Sequence, residues 1–172
     1  MDKHKESGHV QNSAGLVGRH FFHIYANGWQ YEAYIKNRNI IDYRVHSGIA
    51  AGRFVRNQPV YLALLAENMF HLSWVEPTGT MVCQFINLDV RKIHSFACFP
   101  RWVKEQPQKT ICFQNDHLDL MQSYREAGPT YPHFILNEWA NIVFVEDCGL
   151  DDETIIDCPP AALPPAYADR RN

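Results

Sequence analysis

Short segments in which apolar and polar residues alternate follow one another through most of this sequence, and turn residues separate them. The clearest pair is His20–Tyr25 and Trp29–Lys36, joined by Ala26, Asn27 and Gly28. An Asn-Gly pair between two alternating segments is a strong signal for a tight β-hairpin. Similar segments are found at Ile41–His46, Ile49–Arg56, Val60–Ala66, Met69–Glu76, Met81–Leu88, Ile93–Phe99 and Ala140–Glu146. This succession of hairpins predicts an antiparallel sheet.

The number of these segments predicts how the sheet closes. About eight or nine strands, with shorter extended pieces at Thr110–Phe113 and Thr154–Asp157, accompany one principal helix over Asp116–Glu126. This pattern is typical of an all-β protein, with a lipocalin-like, closed, antiparallel up-and-down β-barrel. A barrel of this size has room for side chains and one small ligand. We therefore expect the functional site in the interior.

Length and composition predict a single domain. The 172 residues are 46% hydrophobic, which suits one compact core. We expect a flexible N-terminal arm over residues 1–14, one barrel domain over residues 15–158 and a Pro-rich tail over residues 159–172.

Charge and cysteine content argue against several classes of function. A net charge of −3 without a long basic run gives no basis for nucleic-acid binding, and no apolar segment has the length of a membrane span. The five cysteines are an odd number without Cys-x-x-Cys spacing, and the first residues lack a signal-peptide pattern. We therefore expect reduced thiols and a cytoplasmic protein.

Glu76 is the most unusual polar residue, because it shares a strand face with Phe70, Leu72 and Trp74. An unpaired carboxylate on such a face is costly to keep ionised, so it must be neutral, paired with a cation or in contact with a ligand. Arg53 alternates with apolar residues in the same way and is the cationic counterpart. Both are candidates for acid–base chemistry, and a purely structural ion pair would give the same pattern.

His23 and Tyr25 are two residues apart and share one strand face, where both could contact the same ligand group. The alternative is an aromatic core pair whose polar atoms bond to the backbone. His20 and His23 would point to opposite faces, and no other histidine pair has chelating spacing, so we expect no metal. Walker and Gly-x-Gly-x-x-Gly motifs are also missing, which leaves a nucleotide cofactor without support.

Five strings of unusual composition occur in a fixed order. They are YRVHSG at 43–48, AGR at 51–53, SWVEPTGT at 73–80, FPRW at 99–102 and QNDH at 114–117. Together they resemble the phenolic acid decarboxylase family, and the similarity extends from about Gly18 to Asp157. The resemblance implies a homodimer of lipocalin-like barrels without a cofactor. It also implies non-oxidative decarboxylation of p-hydroxycinnamic acids, such as p-coumaric, caffeic and ferulic acid, to 4-vinylphenols.

The resemblance also implies roles for individual residues. The family's catalytic Arg and Glu fall on Arg53 and Glu76, and its paired tyrosines fall on Tyr25 and on position 23, which is His23 here. A second departure is Ala97-Cys98 in place of the family's usual Ile-Phe, which would widen one wall if these side chains face inward. The residues expected to contact the substrate are Trp74, Thr78, Ala97 and Phe99, with Trp29, Tyr31 and Glu138 near the barrel entrance.

Without a cofactor, the substrate itself must accept the electrons that CO2 leaves behind. A para-hydroxyl group permits this, because its deprotonation and protonation of the carbon that bears the carboxylate give a quinone methide. Glu76, kept protonated by its apolar face, is the expected proton donor, although Arg53 would oppose its protonation. Tyr25 and His23 would hold the other end of the substrate or help to ionise the phenol.

Two alternatives to this chemistry stay open at the level of sequence. The first is a barrel that uses His23 to isomerise, dehydrate or cyclise a larger phenolic metabolite. The second is a non-catalytic binder of small aromatic compounds, since lipocalin-like barrels often serve as carriers.

Overall fold

The computed structural model describes residues 15–172, and the arm predicted over residues 1–14 lies outside them. The strands in this part of the chain are β1 (Arg19–Tyr25), β2 (Gln30–Asn37), β3 (Ile40–Val45), β4 (Phe54–Pro59), β5 (Tyr61–Ala66), β6 (Met69–Val75), β7 (Met81–Asn87), β8 (Lys92–Phe99) and β9 (Phe134–Asp147). The α-helices are α1 (Arg101–Glu105) and α2 (Leu118–Ala127). Short 3-10 helices cover Pro107–Thr110, Gln114–His117, Pro160–Ala162 and Tyr167–Asp169. Neither α-helix has the length and apolarity that a membrane span requires.

All these strands belong to one antiparallel sheet in the order β4-β3-β2-β1-β9-β8-β7-β6-β5. Consecutive strands pair as hairpins, and β9 pairs with β8 through its first half and with β1 through its second half. Among the described residues β4 and β5 form no ladder with each other, so the nearly closed barrel has one seam. This architecture confirms the predicted all-β, lipocalin-like barrel with one principal helix, α2.

Strand alternation separates the barrel interior from its outer surface. In β6 the side chains of Phe70, Leu72 and Trp74 are buried, whereas the residues between them are only partly buried. Burial of each such side chain contributes about 1.5–3 kcal/mol. A register shift of one residue would move all of them to the outer face. The register that points Glu76 inward is therefore strongly specified.

Strand β4 begins later than the sequence pattern predicted. We expected a strand over Ile49–Arg56, but residues 46–53 form turns ahead of β4. Gly48 and Gly52 have φ angles of 102° and 99°, in the left-handed region that strands do not use. A Cβ atom on Gly48 would lie 2.7 Å from the Trp29 ring. The close approach of this ring and the positive φ both require glycine.

Four other predictions based on local pattern were wrong in detail. Strand β9 has 14 residues and extends well beyond the predicted Ala140–Glu146, because it pairs with two neighbours in succession. The segment Thr110–Phe113, predicted to be a strand, contains the last residue of a 3-10 helix and an isolated bridge at Phe113. The segment Thr154–Asp157, also predicted to be a strand, forms a turn. The helix predicted over Asp116–Glu126 starts later, after a 3-10 turn, and α1 was not predicted.

The C-terminal segment, residues 159–172, lies against the outer side of the barrel. The Tyr167 hydroxyl donates a hydrogen bond to Glu32 Oε1 at 3.0 Å, and Gln30 Nε2 donates to the backbone oxygen of Ala168. These contacts cover the outer side of β2, so that strand is buried on both faces. The segment is the one that the sequence predicted to be a Pro-rich tail.

Candidate active site

The inward faces of the strands enclose a cavity of about 70 Å³. A buried water molecule occupies about 10–15 Å³ of such a space, so the cavity exceeds a single water site several-fold. Its lining combines apolar side chains with His23, Tyr25, Tyr31, Arg53 and Glu76. The residues predicted to be catalytic therefore lie around one cavity.

Arg53 and Glu76 form a buried ion pair in the cavity wall. Arg53 Nη2 lies 3.2 Å from Glu76 Oε2. Glu76 directly follows β6, and its backbone N–H donates to the Thr80 oxygen at 2.8 Å while its oxygen accepts from Gly79 N at 2.9 Å. This tight turn fixes the carboxylate at the strand end. Because Arg53 precedes β4, the ion pair also links the two sides of the barrel seam.

Tyr43 contacts both charged groups, a role that the sequence analysis missed. Its hydroxyl donates a hydrogen bond to Glu76 Oε1 at 2.6 Å and accepts one from Arg53 Nε at 3.2 Å. Burial raises the pKa of Tyr43 well above its ordinary value, so the phenol remains a donor. Its alternation with Ile41 and Val45 predicts an inward side chain, but no local pattern predicts contact with a residue 33 positions away.

Glu76 is surrounded by hydrogen-bond donors. Besides Arg53 and Tyr43, Trp74 Nε1 donates to Oε1 at 3.3 Å, and Thr78 Oγ1 lies 3.3 Å from Oε2. These contacts hold the carboxyl group of Glu76 in one position in the cavity wall.

Arg53 is held by neutral acceptors as well as by Glu76. Nη1 donates to the backbone oxygen of Thr110 at 2.9 Å, and Nη2 donates to Gln114 Oε1. Burial would lower the pKa of Arg53, but Tyr43 and Glu76 outweigh it and raise the pKa. The segment between β8 and β9 thus orients a charged guanidinium. The QNDH string was the signal that could have identified Gln114.

His23 is enclosed but has no hydrogen-bond partner among the described residues. Both of its ring nitrogens are buried and unpaired. Burial lowers the pKa of His23 to about 3, so near pH 7 the neutral ring offers one N–H donor and one acceptor. Unpaired buried polar atoms are rare in proteins. Because His23 lines the cavity, a ligand there could supply the missing partner.

Tyr25 and Tyr31 lie beside His23. The ring centroid of His23 is 5.2 Å from that of Tyr25 and 5.8 Å from that of Tyr31. The Tyr25 hydroxyl lies 2.9 Å from Ser95 Oγ and accepts a hydrogen bond from Gln84 Nε2 at 3.2 Å. Burial raises the pKa of both tyrosines. Both phenols are therefore neutral near pH 7, so each can donate a hydrogen bond into the cavity.

The remaining predicted substrate contacts fall into two groups. The cavity lining includes Trp74, Thr78, Ala97 and Phe99. Trp29 and Glu138 are not among the described residues that line the cavity, and Trp29 packs against Gly48 instead. Ala97 contributes a small side chain to the wall, whereas Cys98, the next residue of β8, points to the opposite face of the sheet. Of the residues in the Ala97-Cys98 pair, Ala97 is therefore the one that lies in the cavity wall.

One group of side chains outside the cavity has the composition of a metal site. His20, Glu146 and Cys148 place one ligand atom each within 4.8 Å of one another. However, the Arg170 guanidinium already lies 3.2 Å from Glu146 Oε1 and 3.5 Å from His20 Nδ1. A cation from the protein thus occupies this position, and the group gives no support to a metal cofactor.

Comparisons with known proteins agree over nearly the whole chain. A sequence profile described as "Phenolic acid decarboxylase (PAD)" matches residues 13–170. The "Probable phenolic acid decarboxylase" of Vibrio cholerae serotype O1 is 45% identical over 154 residues, which cover 90% of this chain and 88% of that protein. "Phenolic acid decarboxylase PadC" of Bacillus subtilis is 46% identical over 145 residues, which cover 84% of this chain and 90% of that protein. This chain therefore belongs to the phenolic acid decarboxylase family.

Proposed function

We propose that this protein decarboxylates p-hydroxycinnamic acids, such as p-coumaric, caffeic and ferulic acid, to 4-vinylphenols without a cofactor. Membership of the family supports the substrate class. The observation that carries the proposal is the buried Arg53–Glu76 pair beside a cavity that His23 and Tyr25 also line. A cation, a carboxyl group and separate neutral donors are the groups that this reaction needs.

The substrate would lie with its carboxylate toward Arg53 and its phenol toward Tyr25 and His23. A guanidinium binds a carboxylate through strong, charge-assisted hydrogen bonds. The O–H of Tyr25 and an N–H of His23 can stabilise a phenolate, and preorganised donors of this kind are most effective where water is excluded. With its pKa lowered to about 3, His23 is a poor base, which favours a role as hydrogen-bond donor.

Glu76 would supply the proton that makes carbon–carbon cleavage possible. The substrate carboxylate would share Arg53 with Glu76, which brings the carbon that bears the carboxylate close to the Glu76 carboxyl group. The phenol loses its proton to solvent, and Glu76 protonates the carbon that bears the carboxylate, which gives a quinone methide. The bond to the carboxylate then breaks, its electrons restore the vinyl group and the phenolate, and CO2 leaves. Solvent returns one proton to the product and one to Glu76.

Turnover of purified protein with p-coumarate and ferulate tests this proposal. We expect the corresponding 4-vinylphenols to accumulate. Cinnamate is the matched control and should remain unchanged, because without a para-hydroxyl group it cannot form the quinone methide. Failure to turn over any hydroxycinnamate would contradict the proposal.

A second candidate keeps the barrel but uses His23 to isomerise, dehydrate or cyclise a larger phenolic metabolite. The unpaired nitrogens of His23 and the small side chain of Ala97 favour it. The variant His23→Tyr separates the candidates. A strong rise in hydroxycinnamate decarboxylation would support the second candidate, whereas full activity in the unmodified protein argues against it. A non-catalytic binder would instead keep its ligand affinity in Glu76→Gln and have no turnover to lose.

We also propose that the protein forms a homodimer through the outer face of β6–β9. Large apolar side chains are exposed in adjacent positions of this face. They are Val75, Met81, Phe85, Phe96, Ile135 and Trp139. A contiguous apolar face of this kind marks an interaction surface. Light scattering should show a dimer, and Trp139→Glu should convert it to a monomer; a monomeric parent protein would refute the proposal.

The state of the cysteines and the net charge support the expected cellular location and class of partner. All five cysteines are free thiols, which supports a reducing, cytoplasmic location. The net charge of −3 supports a small-molecule substrate rather than a nucleic-acid partner.

A further inference from the structure

Tyr25 belongs to a buried hydrogen-bonded triangle with two residues that the sequence analysis did not single out. Ser95 Oγ lies 2.9 Å from the Tyr25 hydroxyl, and Gln84 Nε2 lies 3.2 Å from that hydroxyl and 3.1 Å from Ser95 Oγ. Gln84 on β7 and Ser95 on β8 are directly paired across the two strands. Their side chains are almost completely buried, so these polar groups depend on one another for hydrogen bonds.

A count of protons shows what the triangle can donate. The amide nitrogen of Gln84 has no lone pair to offer and can only donate, so both hydroxyl oxygens act as its acceptors. The Tyr25 and Ser95 hydroxyls carry two protons, and only one of them can bridge the two oxygens. The other proton must point out of the triangle. The cavity lies on the side of Tyr25 and Gln84, which both belong to its lining, and away from Ser95, which does not. Because Gln84 only donates to the two hydroxyl groups, the proton that can turn toward the cavity is that of Tyr25.

We propose that Ser95 and Gln84 are positioning residues, which turn the Tyr25 hydroxyl into a hydrogen-bond donor for an anionic oxygen of the ligand, specifically the phenolate of a p-hydroxycinnamate. The substrate class rests on the proposed function. When such an oxygen enters the cavity, the Tyr25 proton turns toward it. The Ser95 proton then takes the bridging position, so that Tyr25 accepts hydrogen bonds from both Ser95 and Gln84 while it donates to the ligand.

The unpaired nitrogens of His23 are an independent sign that a ligand oxygen belongs next to Tyr25. His23 lines the cavity, its ring lies 5.2 Å from that of Tyr25, and both nitrogens lack a partner among the described residues. An oxygen that accepts from Tyr25 can accept from a His23 N–H as well. Ser95 is fully enclosed and contacts the ligand through Tyr25 alone, which is why it positions rather than catalyses.

Binding of two unreactive ligands tests this inference without relying on turnover. The ligands are 3-(4-hydroxyphenyl)propionate and 3-phenylpropionate, which differ by the para-hydroxyl group and lack the conjugation that decarboxylation requires. Wild-type protein should bind the hydroxylated ligand more tightly. Ser95→Ala should reduce this preference about tenfold and leave the Kd of 3-phenylpropionate unchanged, since the loss of one well-placed hydrogen bond corresponds to about 1.4 kcal/mol.

Three further variants keep the test decisive. Ser95→Thr retains the hydroxyl group and should restore the preference for the hydroxylated ligand. Gln84→Met has a similar shape but lacks the donor, so it should reduce this preference although Ser95 is unchanged. Ser123→Ala, on the exposed side of α2, is the matched control and should change neither Kd. Equal weakening of both ligands in Ser95→Ala and Gln84→Met, or no change in either, would overturn the inference.

The same measurements separate this inference from the proposed function. A preference for the para-hydroxyl group that depends on Ser95, in a protein without decarboxylase activity, would sustain the positioning role and refute the reaction. Decarboxylation of p-coumarate by a protein whose ligand preference ignores Ser95 would do the reverse.

Discussion

Two buried glutamates, Glu76 inside the barrel and Glu32 on the outer side of β2, have similar hydrogen-bonding partners, but we expect them to have different roles. Neither is more than 9% exposed, and four donors approach each carboxylate. The donors to Glu32 are His20 Nε2 at 2.7 Å, His46 Nε2 at 2.7 Å, Arg44 Nη1 at 2.9 Å and the Tyr167 hydroxyl at 3.0 Å. Burial and pairing alone therefore do not distinguish a catalytic carboxyl group from a structural one.

The difference lies in what surrounds the two groups. Burial would raise the pKa of Glu32, but hydrogen bonds from His20 and His46 and the charge of Arg44 lower it to about 2. The C-terminal segment covers this network, and Tyr167 is part of it. Within residues 15–172 the cationic partner of Glu76 is Arg53 alone, and the pair lies next to a cavity, so a ligand can compete for that partner. Free space beside the ion pair is the feature on which the proposed chemistry depends.

The largest expected effect is the loss of activity in Glu76→Gln. The amide keeps the shape of the side chain but cannot donate the proton, so we expect kcat for p-coumarate to fall about 10³-fold, within the range of general-acid contributions. The change also leaves the buried Arg53 guanidinium without its ionic partner and lowers the free energy of unfolding, so kcat is measured under conditions in which circular dichroism shows the variant to be folded. An active Glu76→Gln variant would show that the interior carboxyl group is as structural as the exterior one.

The matching change on the outer side, Glu32→Gln, should lower stability without a comparable loss of activity. Removing one partner of a buried ionic network leaves uncompensated charge and costs about 3–5 kcal/mol, which urea unfolding measures. The folded enzyme should keep kcat within about threefold. Because the folded-state pKa of Glu32 is about 2 and the ordinary value is 4.5, its stabilisation is complete above pH 4.5 and lost as the pH falls toward 2. The variant should lack this acid-dependent loss.

The same two glutamates show how far sequence alone could predict the site. The inward position of Glu76 follows from strict alternation in β6, which is a local property. The contacts of Glu76 with Tyr43, and of Arg53 with Gln114, join segments that are far apart in the chain. Strand pairing and the closure of the barrel bring them together, and no local periodicity encodes that. The sequence places Tyr43 on one strand face with Ile41 and Val45 and predicts nothing about its contacts.

For Glu32 the local pattern predicts a solvent-exposed side chain, but this side chain is buried. Glu32 alternates with Tyr31 and Ala33 in the second strand, and the polar face of such a strand points to solvent in a simple barrel. The side chain is nevertheless fully buried because residues 159–172 return to cover it. The same kind of long-range pairing explains β9, where Phe134 and the residues after it become a strand because β8 offers its free edge.

A change in pH should separate the interior from the exterior. The pKa of His23 is about 3 in the folded protein and ordinarily 6.5, so the unfolded chain binds a proton that the folded protein excludes. Stability is therefore complete above pH 6.5 and falls as the pH drops toward 3, by about 2–3 kcal/mol between pH 6.5 and 4.5. His23→Phe should flatten the stability profile in that window, where Glu32 is still ionised. An unchanged slope would mean that His23 is hydrated or paired.

The smallest effects come from the same substitution made in both networks. Tyr167→Phe and Tyr43→Phe each remove one hydroxyl donor from a buried glutamate that keeps its other donors, and each should cost about 1 kcal/mol in urea unfolding. Only Tyr43→Phe should also lower kcat, about tenfold, because its hydroxyl bonds to both Glu76 and Arg53. An equal fall in kcat for Tyr167→Phe, measured on fully folded protein, would mean that the outer hydrogen-bond network also controls the cavity. Glu32 and Glu76 could then no longer be divided into a structural and a reactive carboxylate.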